Sequence, residues 1–163
     1  GLVEINGRLT TGQGGGLCML SNLLFWMLLH TPLTVLERHG HNAKDFPEPP
    51  SDAPMGVDAT VAEGWLDLKV RNDTKDTWQL VIDFDGEHIV GRVYTDRDSG
   101  ERYKVVNENL GYFRERGQIY EEVEVVRKRC GTSGVVTGRE LLYKNRCKIG
   151  YPLPQETEIK ERS

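Results

Sequence analysis

A chain of 163 residues with 37% hydrophobic content is long enough for one domain but supplies only a modest core. The formal net charge of −4 is spread without a basic stripe, with 3 basic and 7 acidic groups in residues 1–64 and 18 of each in the rest. That balance excludes an obvious nucleic-acid partner.

The first feature along the chain is "GQGGGLCMLSNLLFW", residues 12–26, in which four glycines precede a cysteine and an apolar run. Residues 17–29 contain only Ser21 and Asn22 as polar side chains, which predicts a helix buried on nearly all sides. It should end near His30, because Pro32 disfavours helical geometry at Thr31. The run is shorter than the roughly 20 residues a bilayer requires, so it reads as core and not as a membrane span. A short apolar segment at 33–36 leads into "ERHGHN", and residues 46–56, "FPEPPSDAPMG", form a proline-rich loop.

From Trp65 onward the period changes to two. Leu66, Leu68 and Val70 alternate with charged residues, and Trp78, Leu80, Ile82 and Phe84 form the apolar face of a second strand after "NDTKD". Turn signals at 85–87, 96–101 and 130–134 separate further strands near 88–95, 101–107, 118–129 and 135–144. The polar tail "QETEIKERS" is expected to fray. The sequence thus predicts an α+β fold: a buried N-terminal helix carrying the Gly-rich, Cys-bearing start, packed on a mainly antiparallel sheet. A single domain spans 1–154, with a helical third at 1–64, a β-rich part at 65–154 and a flexible tail at 155–163. Because the chain opens on Gly1 and not on a methionine, the missing leader leaves location open between cell envelope and cytoplasm.

Cys18 falls in the first turn of the expected helix. Glycines Gly14, Gly15 and Gly16 let backbone N–H groups converge there, and the positive end of the helix dipole favours an anion. A thiolate is such an anion, and the same amides suit an oxyanion. The other reading makes Cys18 a small buried hydrophobe, with glycines that permit tight packing. A phosphate cradle is weakly supported, since no Lys-Ser/Thr follows the glycines. Cys130 and Cys147 fit either a bridge across two strands or a reduced pair.

"ERHGHN" adds Glu37, Arg38, His39 and His41, and "GVDATV" adds Asp58. A thiol, an imidazole and a carboxylate are what nucleophilic acyl transfer needs, in the chain order of papain-like and transglutaminase-like enzymes. The histidines read equally as solvated loop residues and Asp58 as a turn cap. Cys18, His30, His39 and His41 as zinc ligands match no familiar spacing, so neither a metal nor a cofactor is expected.

Taken together, residues 12–42, "GVDATV", "DLKVRNDT" and the closing "NRCKIGYP" resemble the VanW family over about residues 5 to 152. Family members commonly carry a further N-terminal portion. The resemblance implies a link to the bacterial cell wall and, in part of the family, a cysteine-dependent peptidoglycan L,D-transpeptidase activity. It places the nucleophile on Cys18, its partner on His41 rather than His39, and the third member on Asp58, with Arg38 and Ser21 in support. Many members close to the resistance-cluster type have no carboxylate at that third place. Met19 stands where the family pattern has glutamine, a loss for the oxyanion if that glutamine is a donor and a tolerable substitute if it only packs. The expected function is a cysteine acyltransferase acting on a peptidoglycan stem peptide or precursor. The alternative is a non-catalytic module that binds peptidoglycan or a glycopeptide, or a structural partner of other resistance proteins.

Overall fold

The elements of the computed structural model are β1 (Leu2–Ile5), β2 (Arg8–Thr11), α1 (Leu17–Leu29), β3 (Thr34–Glu37), β4 (Ala43–Lys44), β5 (Lys69–Arg71), β6 (Trp78–Asp85), β7 (His88–Thr95), β8 (Arg102–Glu115), β9 (Gln118–Cys130), β10 (Val136–Ile149) and β11 (Ile159–Arg162). Residues 2–5, 8–11, 16–48 and 51–162 are described. β8, β9 and β10 are the longest strands, because their sequences sustain β-branched and aromatic residues between charged ones. They form an antiparallel meander, extended at its two edges by β11 on β8 and β4 on β10, both parallel. β1 pairs β2, β3 pairs β5 and β6 pairs β7 in three separate two-stranded sheets.

This overturns the α+β expectation. The described residues are mostly β, 50% strand against 9% helical, with one short helix and a curled mixed sheet among them. The physical reason lies in the N-terminal third. Residues 33–36 contribute to β3, and β4 lies just beyond "ERHGHN", so that third supplies strands as well as the helix. Parallel edges arise because β4 and β11 reach the sheet through long connections and not through hairpins.

β8 extends to Glu115, well past the expected end near 107. Asn109 at φ 53° lies in a break of register between Glu108 and Gly111, which lets the strand continue beyond the irregularity. The following turn puts both Arg116 and Gly117 at positive φ, the geometry of a type I′ hairpin. Arginine rarely adopts that conformation, so this turn was illegible in the sequence. Part of the expected fraying tail forms β11: Arg162 reaches Glu122 at 2.7 Å and lies 3.4 Å from the Phe113 ring centroid.

The core gathers where α1 meets the inner face of the meander. Phe25, Leu29, Ala59, Val105 and Val125 are buried together, with Trp26, Val35, Val57, Leu68 and Tyr143 packed around them. On the outer face Glu108 pairs with Lys128 and Arg139, and Glu124 with Lys144, giving a solvated ladder of ion pairs. Arg127 is buried and donates to the Thr31 and Leu33 carbonyls, which satisfies the backbone leaving α1.

Two further expectations change. α1 is not buried on nearly all sides: Leu17, Cys18 and Met19 in its first turn are exposed. The apolar face of β6 is not core either, Leu80 being 42% and Phe84 70% exposed. The hairpin meets the helix at Gly91 on β7, where Met27 and Leu23 approach so closely that a Cβ would collide with the Met27 sulfur. Cys130 and Cys147 are both buried and free. In register Cys130 faces Val136 and Cys147 faces Glu121, so they sit at opposite ends of the β9–β10 pair and no bridge can join them.

Phe25→Ala should therefore lower the unfolding free energy by about 3–5 kcal/mol, while Leu80→Lys should change it by no more than about 1 kcal/mol. Urea denaturation of the two variants checks both. A Leu80→Lys protein as unstable as Phe25→Ala would place the hairpin in the core.

Candidate functional site

The loop after β3 contains an arginine that makes four hydrogen bonds. The Arg38 side chain is nearly buried, and all three of its nitrogens donate to one segment or one strand. Nε donates to the Asp58 carbonyl at 2.6 Å, Nη1 to Asn145 Oδ1 at 2.9 Å, and Nη2 to the Gly56 carbonyl at 3.1 Å and to the Asp58 carboxylate. The guanidinium also lies 4.4 Å from the centroid of the Tyr143 ring, whose hydroxyl donates to the same Gly56 carbonyl. Gly56 sits at φ 81°, and a Cβ there would meet Val123 at 2.6 Å. The position therefore requires glycine twice over, for its dihedral and for its contact.

Asp58 Oδ2 accepts from both the backbone N–H and the Nδ1 of His41, at 2.8 and 2.6 Å. Burial pushes the Asp58 carboxyl up, but the His41 hydrogen bonds and the Arg38 charge outweigh it and hold the pKa below the ordinary value. The Asp58 hydrogen bond raises the His41 pKa against a smaller opposing effect of burial. His41 is half exposed, and with Nδ1 engaged its Nε2 is the nitrogen left for chemistry. His39 turns away and pairs with Glu37 at 2.9 Å, and His30 Nδ1 donates to the Trp26 carbonyl at 2.8 Å. The three histidines weighed as zinc ligands thus engage separate partners.

α1 is tied to the Asp58 segment by two side chains of its second turn. Asn22 Oδ1 accepts from the Ala59 N–H at 2.7 Å, and the Ser21 hydroxyl lies 2.5 Å from the Ala59 carbonyl and 3.1 Å from that of Cys18. Thr60 N–H donates to the His39 carbonyl at 2.7 Å. Helix, Asp58 segment and histidine loop are thereby laced into one unit. Cys18 is exposed at the start of that helix, and no hydrogen bond joins it to His41 or Asp58. The structure brings Arg38, His41 and Asp58 together and leaves the thiol outside their hydrogen-bonded network. Gly16 caps the helix at φ 95° without a side-chain cap, while Gly14 and Gly15 lie outside the described residues. Cys147 differs from Cys18 in being fully buried, and burial pushes its thiol up to about 11.

A cleft of about 560 Å³ opens beside the pair, lined by His41, Asp58, Asn22, Lys44, Phe46 and Glu48 among others. Behind its wall Lys44 meets the buried Glu121 at 2.7 Å, and Tyr112 donates to the second oxygen of that carboxylate at 3.2 Å. Among the described residues no helix is long and apolar enough to cross a membrane. Sequence reasoning missed Asn145, Tyr143 and Gly56. Asn145 opens the closing "NRCKIGYP" motif, which was the available signal, but nothing in that motif says that it meets residue 38.

A family model described as "VanW like protein" matches residues 1–94. The chain is 51% identical over 162 residues to Vancomycin B-type resistance protein VanW of Enterococcus faecalis, an alignment covering 99% of this chain and 59% of that protein. The chain thus spans well under two thirds of the curated relative's length. No solved structure matches. The family match covers more than half of the chain, and it includes the first turn of α1, the histidine loop and Asp58. On that match and the identity to the Enterococcus faecalis protein, the chain belongs to the VanW family.

Proposed function

We propose that this chain serves as an accessory domain of glycopeptide resistance, binding a peptidoglycan stem peptide or a glycopeptide in the cleft beside His41 and Asp58. The carrying observation is the cleft itself. Its volume falls in the range of small-ligand sites, and its polar wall is held rigid by Arg38. The relative's name supplies the context of vancomycin resistance.

A second reading, cysteine acyl transfer, is favoured by one specific observation: the 2.6 Å hydrogen bond that orients His41 on Asp58. In that reading the Cys18 thiol gives its proton to His41 Nε2 and the thiolate adds to a stem-peptide carbonyl. The tetrahedral adduct collapses with loss of the amine, which takes the proton back from His41, and an acceptor amine or water then resolves the thioester. For this the exposed Cys18 thiol must meet His41 Nε2, a contact outside the hydrogen-bonded network of the structure. Intact mass spectrometry separates the readings. The binding reading expects no acyl adduct on Cys18 after incubation with a tetrapeptide stem, and Cys18→Ser binding as tightly as the parent. An adduct lost in Cys18→Ser would replace it with catalysis.

The electrostatics give a separate expectation. Because the folded pKa of His41 is raised, its contribution to stability is full below the unfolded value of 6.5 and is lost as pH rises through the folded value. Asp58 works in the opposite sense, contributing above 3.8 and losing that contribution as pH falls through its lowered folded value. The ion pair is complete between the two folded values. Asp58→Asn should bring the His41 titration, followed by imidazole NMR shifts, back to or below 6.5. An unmoved titration would mean that Asp58 does not govern the imidazole.

A further inference from the structure

The charge lining the cleft is unbalanced once internal pairs are set aside. Asp58 and Lys44 on the lining are each matched from behind it, Asp58 by Arg38 and Lys44 by Glu121. Glu48 shares the Lys44 ammonium at 3.0 Å, and Asp45 has no ion-pair partner among the described residues. On the lining itself Asp45, Glu48 and Asp58 face Lys44 alone, a net charge of −2 with His41 neutral and −1 with it protonated. Two of the three Lys44 donors are engaged by Glu121 and Glu48, which reduces its capacity to receive an anion.

The excess charge is dispersed. No three His, Cys, Asp or Glu side chains converge as metal ligands among the described residues, so the pattern suits an extended organic cation better than a compact metal ion. The other contribution is apolar. Phe46 stands 72% exposed at the cleft, and Ala53, Pro54 and Val57 continue its apolar wall. A large exposed aromatic beside carboxylates offers an apolar surface and a ring face to a cation. The smaller cleft near Arg127, about 280 Å³, is different: Arg127, Arg129 and Arg139 are each paired with a glutamate.

We propose that the cleft recognises an organic ammonium group carried on an apolar or aromatic body, with Asp45 and Glu48 as its specificity-determining residues. This rests on the reading of the cleft as the ligand site. It narrows that reading, because a ligand that presents only a carboxylate is repelled by the wall. Two sources share the chemistry: the side-chain amine of a stem-peptide diamino acid and the amines of a glycopeptide. Either body would lie along Phe46 and Val57 while its ammonium meets the two carboxylates.

The test uses four probes: vancomycin, vancomycin with its amines acetylated, a lysine-containing stem tetrapeptide, and the same peptide with its lysine Nε acetylated. Calorimetry gives affinity, and the His41 imidazole resonances report whether binding is in the cleft. Capping the amines should weaken binding of the preferred probe about three- to tenfold, and Asp45→Asn and Glu48→Gln should each cost about two- to fivefold. Both side chains are exposed, so the variants should melt with the parent, and in the parent rising salt should weaken only the uncapped probe. Whichever uncapped probe binds identifies the source of the ammonium. If capped and uncapped probes bind the cleft equally and salt has no effect, the ammonium inference falls while the ligand site stands. If no probe perturbs His41, the cleft is not the site and both readings fall together.

Discussion

Arg38 is the constraint on which the rest of this site depends. Its guanidinium takes carbonyls from Gly56 and Asp58, an amide oxygen from Asn145 and one oxygen of the Asp58 carboxylate, while Tyr143 covers its face. A planar group with several fixed donors can hold three separate chain segments in one geometry, which an ammonium could not do. The carboxylate so held has one oxygen left for His41. The orientation of the imidazole is thus supported three bonding steps away, by a strand more than one hundred residues later in the chain.

The same device recurs across the domain. Arg127 takes the carbonyls that leave α1 and pairs with Glu140 from the neighbouring strand. Lys44 and Glu121 pin the two-residue β4 to the meander. A chain with a modest apolar fraction compensates for a small core by linking its irregular segments with charge-assisted hydrogen bonds. Buried pairs of this kind add little net stability compared with apolar packing, but breaking one leaves a costly unpaired charge, so they impose one arrangement on otherwise mobile loops. The histidine loop and the 56–60 segment have almost no regular structure of their own and owe their shape to these bonds.

The exposed first turn of α1 is the element least constrained by this scheme. Its second turn is anchored through Ser21 and Asn22, whereas Leu17, Cys18 and Met19 stand in solvent. An anchored turn next to an open one places the thiol on the border of the rigid unit. The thiol therefore lies beside the rigid unit without a partner in its hydrogen-bonded network.

Local pattern was enough to read the bounds of α1 and the β6 and β7 strands, because each depends on period or turn chemistry within the chain itself. The strand count in the N-terminal third was not readable. β3 and β4 are too short to show a period, and they exist only because β5 and β10 supply partners. Nor could alternation say which face of β6 is buried, since that depends on Gly91 letting the helix approach β7 and on nothing else covering Leu80 or Phe84. His41 and Asp58 were legible as candidates, and the Asn145, Tyr143 and Gly56 cradle was not. A motif reports which groups are present, but the contact that joins His41 to Asp58, while His39 pairs with Glu37, is made by backbone segments brought together from distant parts of the chain. Those contacts form only when the tertiary structure closes around Arg38.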